Sequence, residues 1–329
     1  MTKAKNRMLS GMQPSGRMHL GNLLGALDNW IRFQKEYDAY FFVADWHALS
    51  TNFADTGRIR EYTREILIDW LAAGIDPEKC TVFIQSRIPE HAVLHLLFSM
   101  ITPLPWLQRN PTYKEKIEEL RERDLSSYGF LGYPVLQAAD ILIYKPDVVP
   151  VGVDQLPHLE LTREIARRFN NLYGPVFPEP RALLTEVPKL AGTDGRKMSK
   201  SYDNAIYLSD DEKTVRDKLR TMVTDPARKR RTDPGNPDIC PVFTFHKIYS
   251  EIGVIDRVNR ECRTAGIGCI DCKGLVADRM VARLEPIWEN RAQWTKHPRK
   301  LDAVVEAGGE KAQAFARKTL EETREAMKL

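Results

Sequence analysis

The sequence predicts an α/β fold, a Rossmann-like doubly wound parallel sheet joined to a C-terminal all-helical domain. Three observations carry that expectation. Strand-like runs at Arg7 to Met12, Tyr40 to Ala44, Thr81 to Ile84 and Val148 to Val151 alternate with helical patterns at Gly21 to Lys35, Arg58 to Ala73, Glu90 to Met100 and Leu156 to Phe169. Such alternation is what parallel strands covered by helices require. After Ser201 no strand-like run survives, and the chain of 329 residues, 43% of them apolar, exceeds what one hydrophobic core usually serves. The expected division is a catalytic domain over 1–201, with a helical insertion at 102–131, and a helical domain over 202–329.

Taken in order, Met8 and Leu9 end a short strand, Pro14-Ser15-Gly16 forces a turn, and Leu20, Leu23, Leu24, Leu27, Trp30 and Ile31 recur at helical spacing. His19 and Asn22 therefore sit at the mouth of a helix. Gly21 lets a flat ring approach the backbone, and free N–H groups at the helix start favour a bound phosphate, so a nucleotide site is the natural reading. Asp45-Trp46-His47 follows the second strand at its carboxyl end, where it lines a pocket or packs in the core; His47 is given no catalytic role. Pro103, Pro105 and Pro111 interrupt the pattern ahead of a charged helix, Tyr113 to Arg123, which reads as an insertion. The helix Pro134 to Ile143 holds Asp140 among Leu136, Ala138, Ala139, Ile141 and Leu142, where a carboxylate is either paired or turned to solvent. Beyond Ser201, Asp211 to Thr221, Val242 to Tyr249, Asp256 to Ala265, Val276 to Trp294 and Lys311 to Met327 read as helices, with breaks at Asp225-Pro226 and Asp233 to Pro237.

The net charge is +4, but from Arg228 to Lys300 there are 15 Lys and Arg against 9 Asp and Glu. A basic patch of this kind, densest at Arg228-Lys-Arg-Arg231, suits a phosphate backbone; a solvated loop is the plainer alternative for the tetrad alone. No apolar run approaches the roughly 18 residues of a membrane helix, and Met1 to Arg7 lacks a secretory apolar segment, so no membrane and a cytoplasmic location are expected.

Two separated stretches, His19-Leu20-Gly21-Asn22 and Lys197-Met198-Ser199-Lys200-Ser201, resemble the two signatures of class I aminoacyl-tRNA synthetases. The second is unaltered and the first ends in Asn where the family usually has a second His. Gly11-x-Gln13-Pro14-Ser15-Gly16, Tyr133-Pro-Val-Leu-Gln-Ala-Ala-Asp140 and Val151-Gly-Val-Asp-Gln155 are similar to the tryptophanyl-tRNA synthetases of bacterial type, and the likeness covers nearly the whole chain. The resemblance implies activation of L-tryptophan with ATP and Mg²⁺, transfer to the 3′ end of tRNA(Trp), and a homodimer joined through the insertion.

Chemistry of this kind is dominated by positioning and preorganised charge. Lys197 and Lys200 are the expected electrostatic catalysts, on a loop that Gly192 and Gly195 should leave mobile. His19 should donate to the phosphates, with Asn22 supplying an amide donor. The resemblance extends the ATP site to Gln13, Ser15, Gly16, Gly21, Gly152, Asp154, Met198 and Ser199. It assigns the substrate ammonium to Tyr133 and Gln155, and puts Gln137 where many members have Met. Asp140 is expected to accept the indole N–H.

Cys240, Cys262, Cys269 and Cys272 form a Cys-x21-Cys-x6-Cys-x2-Cys array. In a reducing compartment, thiolates converging on a metal explain such clustering better than disulfides do. A subset of tryptophanyl-tRNA synthetases carries a 4Fe-4S cluster on a similar array whose first gap is one residue longer, which implies a cluster supporting tRNA recognition and not redox catalysis; zinc is the runner-up. Three rivals remain: a tyrosyl-tRNA synthetase, a nucleotidyltransferase of the same wider fold, and a synthetase-like regulator that binds tRNA or senses redox state.

Overall fold

A computed structural model describes residues 5–119, 125–185 and 190–329. The chain begins with strand β1 (Arg7–Met12), a short helix α1 (Leu20–Asn22) that runs through a π-helical turn, Leu23–Leu27, into α2 (Asp28–Glu36), and strand β2 (Asp38–Val43). Helices α3 (Asp45–Asn52) and α4 (Ile59–Ala73) lead to β3 (Cys80–Ile84), followed by α5 (Glu90–Ile101). The insertion contains α6 (Leu104–Arg109) and α7 (Pro111–Glu119); the rest of the charged helix expected there lies partly outside the described residues. Helix α8 (Tyr128–Leu142) begins six residues earlier than the apolar pattern indicated and carries Pro134 inside it. Strand β4 (Val148–Val151), α9 (Leu156–Tyr173) and β5 (Arg181–Leu184) complete the sheet.

All five strands are parallel, in the order β3-β2-β1-β4-β5. Register is set by in-and-out alternation: Met8, Phe41 and Val82 point into one core and Leu9, Phe42 and Phe83 into the other. The chain moves outward from β1 through β2 to β3 and then returns to the other side of β1 as β4. The carboxyl ends of β1 and β4 therefore flank the point where strand order reverses, where sheets of this kind hold their ligands.

The remaining elements are helices α10 (Glu212–Thr221), α11 (Pro241–Tyr249), α12 (Ile252–Arg263), α13 (Cys269–Lys296) and α14 (Pro298–Met327). Two of them are longer than expected. The sequence pattern starts them at Val276 and Lys311, yet α13 and α14 begin earlier and run through Gly274 and the Gly308-Gly309 pair. Val276, Met280 and Leu284 of α13 share a core with Ile66 and Trp70 of α4. Helix α14 covers the edge strand β3 so closely that a Cβ on Gly308 would stand 2.0 Å from the Val82 carbonyl oxygen. Among the described residues, no helix is long and apolar enough to cross a membrane.

Gly308 gives a prediction with a definite sign. In an ordinary helix interior Gly→Ala gains about 1 kcal/mol; here the added methyl must push α14 off β3, and overpacking costs about 1 to 3 kcal/mol. Gly308→Ala should lower the thermal midpoint by a few degrees in a melting experiment. A raised midpoint would mean that the helix is not seated on the strand.

Candidate active site

A cavity of about 400 Å³ opens at the switch point. Gln13, Gly21, Asn22, Tyr133, Gln137, Asp140, Gly152 and Gln155, all expected from sequence, line it. Gly25 and Ala26 join them from the π-helical turn, whose extra residue per turn brings these two small side chains to the cavity wall.

The lysine loop packs on the turn at Gly16, next to the Gln13 and Gly21 part of the cavity wall. Gly16 takes φ +131°, and the Lys200 side chain lies across it: Nζ donates to the Gly16 carbonyl at 3.1 Å and to Ser15 Oγ at 3.3 Å. A Cβ on Gly16 would stand 3.2 Å from Lys200 Cδ. Burial pushes the Lys200 ammonium down to about 8, which leaves it charged at neutral pH. Burial, then the charges of Lys200 and Lys197, hold His19 down to about 4, so its imidazole is neutral and donates through one ring nitrogen only. Nδ1 of His19 is buried without a hydrogen-bond partner, which leaves that polar atom for a ligand. Asn22 does not face the cavity as a simple donor: its Oδ1 accepts the His19 backbone N–H at 3.1 Å and so caps α1.

The loop itself is a tight hairpin. Ala191 bridges Lys197, Gly192 N–H reaches the Arg196 carbonyl at 2.6 Å, and Gly195 makes the turn at φ +84°. Gly192 and Gly195 thus serve close packing and a left-handed turn. The Met198 side chain is buried in the core, Ser199 accepts the Ser201 N–H, and Lys197 is exposed. Asp154 turns away from the cavity, its Oδ2 accepting from Gln155 Nε2 at 2.8 Å.

At the cavity's inner end Asp140 is 1% exposed. His47 Nε2 lies 2.7 Å from Oδ2, His91 Nδ1 lies 2.6 Å from Oδ1, and Gln85 Nε2 donates to both oxygens at 2.8 Å. Burial opposes the carboxylate's charge, but the hydrogen bonds from His47 and His91 outweigh it and hold the group down to about 2. A carboxylate has about four acceptor directions. His47 and His91 take one each and Gln85 reaches both oxygens, so all four are engaged before a ligand arrives. His91 continues to the Tyr144 hydroxyl at 2.8 Å. Tyr133 shares a 2.9 Å hydrogen bond with His158. Sequence reasoning missed Gln85 and His91, and it offered His47 as pocket lining without linking it to Asp140, because these residues lie 55, 49 and 93 positions from Asp140 and no motif spacing connects them.

The four clustered cysteines also come together in space. Burial and the neighbouring Cys240, Cys262 and Cys269 push the Cys272 thiol up to about 12. Among the described residues, however, no group of three or more His, Cys, Asp or Glu is set to hold a metal ion. The basic tetrad is partly spent here. Arg228 reaches Cys262 Sγ at 3.6 Å and the Ile267 carbonyl at 2.5 Å, and Arg231 donates to the carbonyls of Ala265 at 2.6 Å and Gly266 at 3.1 Å. Two of the four side chains expected to meet a phosphate backbone instead lace the loop between Cys262 and Cys269.

A doubly wound parallel sheet with a cavity at its switch point and a lysine loop on the neighbouring turn is the architecture of the Rossmann-like class. Residues 1–285 match the family described as tRNA synthetases class I (W and Y). The tryptophan–tRNA ligase of Thermotoga maritima is 54% identical over 325 residues, covering 98% of this chain and 99% of that protein. That of Aquifex aeolicus is 44% identical over 393 residues, covering 98% and 100%. A crystal structure of tryptophanyl-tRNA synthetase from Campylobacter jejuni complexed with ADP and tryptophan superposes with a TM-score of 0.89 at 32% identity, covering 98% of this chain and 100% of that one. The chain belongs to the class I tRNA synthetase family for tryptophan and tyrosine.

Lys200 sets a pH limit. Its ammonium loses a proton above about pH 8, so kcat/KM for ATP, the nucleotide expected from sequence, should fall about tenfold per pH unit beyond that point, while Lys200→Arg, which stays charged, should lose the alkaline limb. A profile that is the same in both proteins would remove Lys200 from nucleotide binding.

Proposed function

We infer that the protein is a tryptophan–tRNA ligase: it converts L-tryptophan and ATP to tryptophanyl-adenylate and pyrophosphate, then transfers the aminoacyl group to the 3′ end of tRNA(Trp). The observation that carries this is whole-chain identity to tryptophan–tRNA ligases, set on a cavity whose chemistry fits that substrate.

In the first step a tryptophan carboxylate oxygen bonds to the α-phosphorus of ATP as the bond to the β-phosphate bridging oxygen breaks, and pyrophosphate leaves with the electron pair. In the second a hydroxyl of the terminal ribose of tRNA attacks the aminoacyl carbonyl and AMP departs. ATP enters as its Mg²⁺ complex, which shields part of the phosphate charge. The protein's share is placement and charge. Neutral His19 donates to a phosphate oxygen, and Gln13, Ser15, Gly16, Gly21 and Asn22 form the turn that receives the nucleotide. Lys197 and Lys200 meet the charge that grows on departing pyrophosphate. Gly152 and Gln155 flank the amino acid, Tyr133 and Gln155 take its ammonium, and Gln137 and Asp140 take its side chain. Donors on both oxygens keep Asp140 ionised and therefore an acceptor, and the indole N–H would take the place of one of the two contacts that Gln85 shares between the oxygens; an indole N–H left unpaired would cost about 1 to 3 kcal/mol.

This reading keeps 1–201 as the catalytic part and 202–329 as the part that meets tRNA, in a cytoplasmic homodimer. The exposed apolar Leu96, Met100, Leu104 and Tyr128, on α5, α6 and α8 around the insertion, support the dimer. Charging should proceed with tryptophan and not with tyrosine in an assay containing ATP and tRNA. Asp140→Ala should lose most of that selectivity while KM for ATP changes little, and equal losses for both substrates would reject the assigned indole contact.

The finer reading gives Cys240, Cys262, Cys269 and Cys272 a 4Fe-4S cluster, with zinc as the alternative. What supports this reading is the nearness of the four thiols, each of which raises or would raise the cost of ionising the others: a cationic centre would turn that repulsion into binding. Arg228 beside Cys262 suits the net negative charge of a thiolate-ligated cluster. When bound, the centre supplies rigidity to the loop; the chain's own arginines hold the loop from outside. Protein purified anaerobically should be brown and contain iron; colourless protein with one zinc per chain would replace the cluster with zinc, and metal-free protein would end the metal reading. Sedimentation of the same preparation checks the dimer.

A further inference from the structure

Asn204 follows the lysine motif by three residues and belongs to no assigned part of the site, yet it is 2% exposed and every polar atom of its side chain meets the hairpin. Its Oδ1 accepts the Ser199 backbone N–H at 2.8 Å. Its Nδ2 donates to the Lys197 carbonyl at 3.2 Å and to Asp194 Oδ1 at 2.7 Å. Its own carbonyl accepts the Thr193 N–H at 2.9 Å. One side-chain amide thus pins the backbone on both sides of Met198, whose side chain is fixed in the core. Gly192 is shaped to it: a Cβ there would stand 2.2 Å from the Asn204 amide.

We propose that Asn204 is a positioning residue for adenylate formation: its buried amide holds the Lys197–Ser199 backbone so that Lys197 and Lys200 are aimed at the phosphates before substrate arrives. The inference rests on the tryptophan-activating reading above. Lys197 is exposed and its side chain is long, so its aim is set by its backbone, and the amide is the only side chain among the described residues that hydrogen-bonds that backbone on both flanks of Met198. Two further features argue for aim over simple stability. The anchoring of the loop to the core is already supplied by Met198 and by its N–H to the Leu190 carbonyl at 2.9 Å. The Asn204 contacts instead fall on the two residues flanking that anchor, those that carry or precede a lysine.

The test is tryptophan-dependent pyrophosphate exchange on the full-length dimeric protein. Wild type must exchange; if it does not, the enzymatic reading fails and this inference with it. Given exchange, Asn204→Ala should lower kcat by about 100-fold, the loss that a misplacement of about 1 Å produces, with KM for tryptophan within a few-fold of wild type. Asn204→Asp keeps the acceptor for Ser199 but loses both donated hydrogen bonds and faces Asp194, so it should fall nearly as far. Gly192→Ala, which displaces the amide without altering it, should behave alike. Where one of the three does not fold, the others carry the result. The decisive readout is a mutant cycle: on a background carrying both Lys197→Ala and Lys200→Ala, Asn204→Ala should cost little more, because its effect passes through those two lysines. Multiplicative losses, or a folded variant with wild-type kcat, would overturn the proposal.

Discussion

A single charge inside the sheet's helical cover fixes more of this molecule than any other group. Asp140 is ionised and almost wholly buried, and taking a carboxylate out of water costs several kcal/mol unless fixed donors replace the lost hydration. Those donors come from α3 (His47), the turn after β3 (Gln85) and α5 (His91), while the acid itself rides on α8. Four elements must therefore arrive together or leave the charge unpaired. The inner wall of the cavity is the surface on which they meet, so rigidity of the pocket and stability of that half of the fold have one cause.

The outer wall obeys a different constraint, because there the charges are held ready but incompletely satisfied. Lys200 lies over a glycine carbonyl and a serine hydroxyl, two weak acceptors for an ammonium, and burial pulls its proton affinity down. His19 is kept neutral by the same burial and by both lysines. An arriving polyphosphate would relieve each strain: it supplies the counter-charge that Lys200 lacks and an acceptor for the imidazole. Positive potential stored in this way is available at once when charge develops, with no reorganisation of solvent.

How much of this could be read from sequence depended on whether a signal was local. Strands β1 to β4 announce themselves through β-rich runs, but β5 has only Arg181–Leu184, pairs on one side alone and has exposed ends, so no apolar pattern marks it. Both lysines, His19, the turn at Gly16 and Asp140 were legible because each sits in a short motif or stands out against its neighbours. Gln85 and His91, and the link of His47 to Asp140, were not, since ordinary residues on separate elements acquire their role only when the sheet brings them to one acid. Met198 is the converse case: read as part of a ligand motif, it proves to be the hydrophobic pin that holds the motif to the core. Helices α13 and α14 begin earlier than the sequence pattern for a related reason, because glycine within a helix signals either a break or a close approach, and at Gly308 the approach of β3 decides it.

The charge distribution of the C-terminal third also means something different once folded. Fifteen cations over 228–300 read as a basic face, but Arg228 and Arg231 turn inward on the carbonyls of residues 265 to 267, where the backbone passes through a left-handed Ala265 and its N–H groups turn back to the Glu261 and Cys262 carbonyls. A guanidinium offers five donors in a rigid fork, and two of them crossing one loop can replace the secondary structure that loop lacks. The same arginine that reaches Cys262 Sγ brings positive charge to a set of thiols whose ionised forms would repel one another. The excess of basic residues is therefore divided in a way that sequence cannot separate: part of it faces solvent, and part ties down the backbone carbonyls beside four sulfurs.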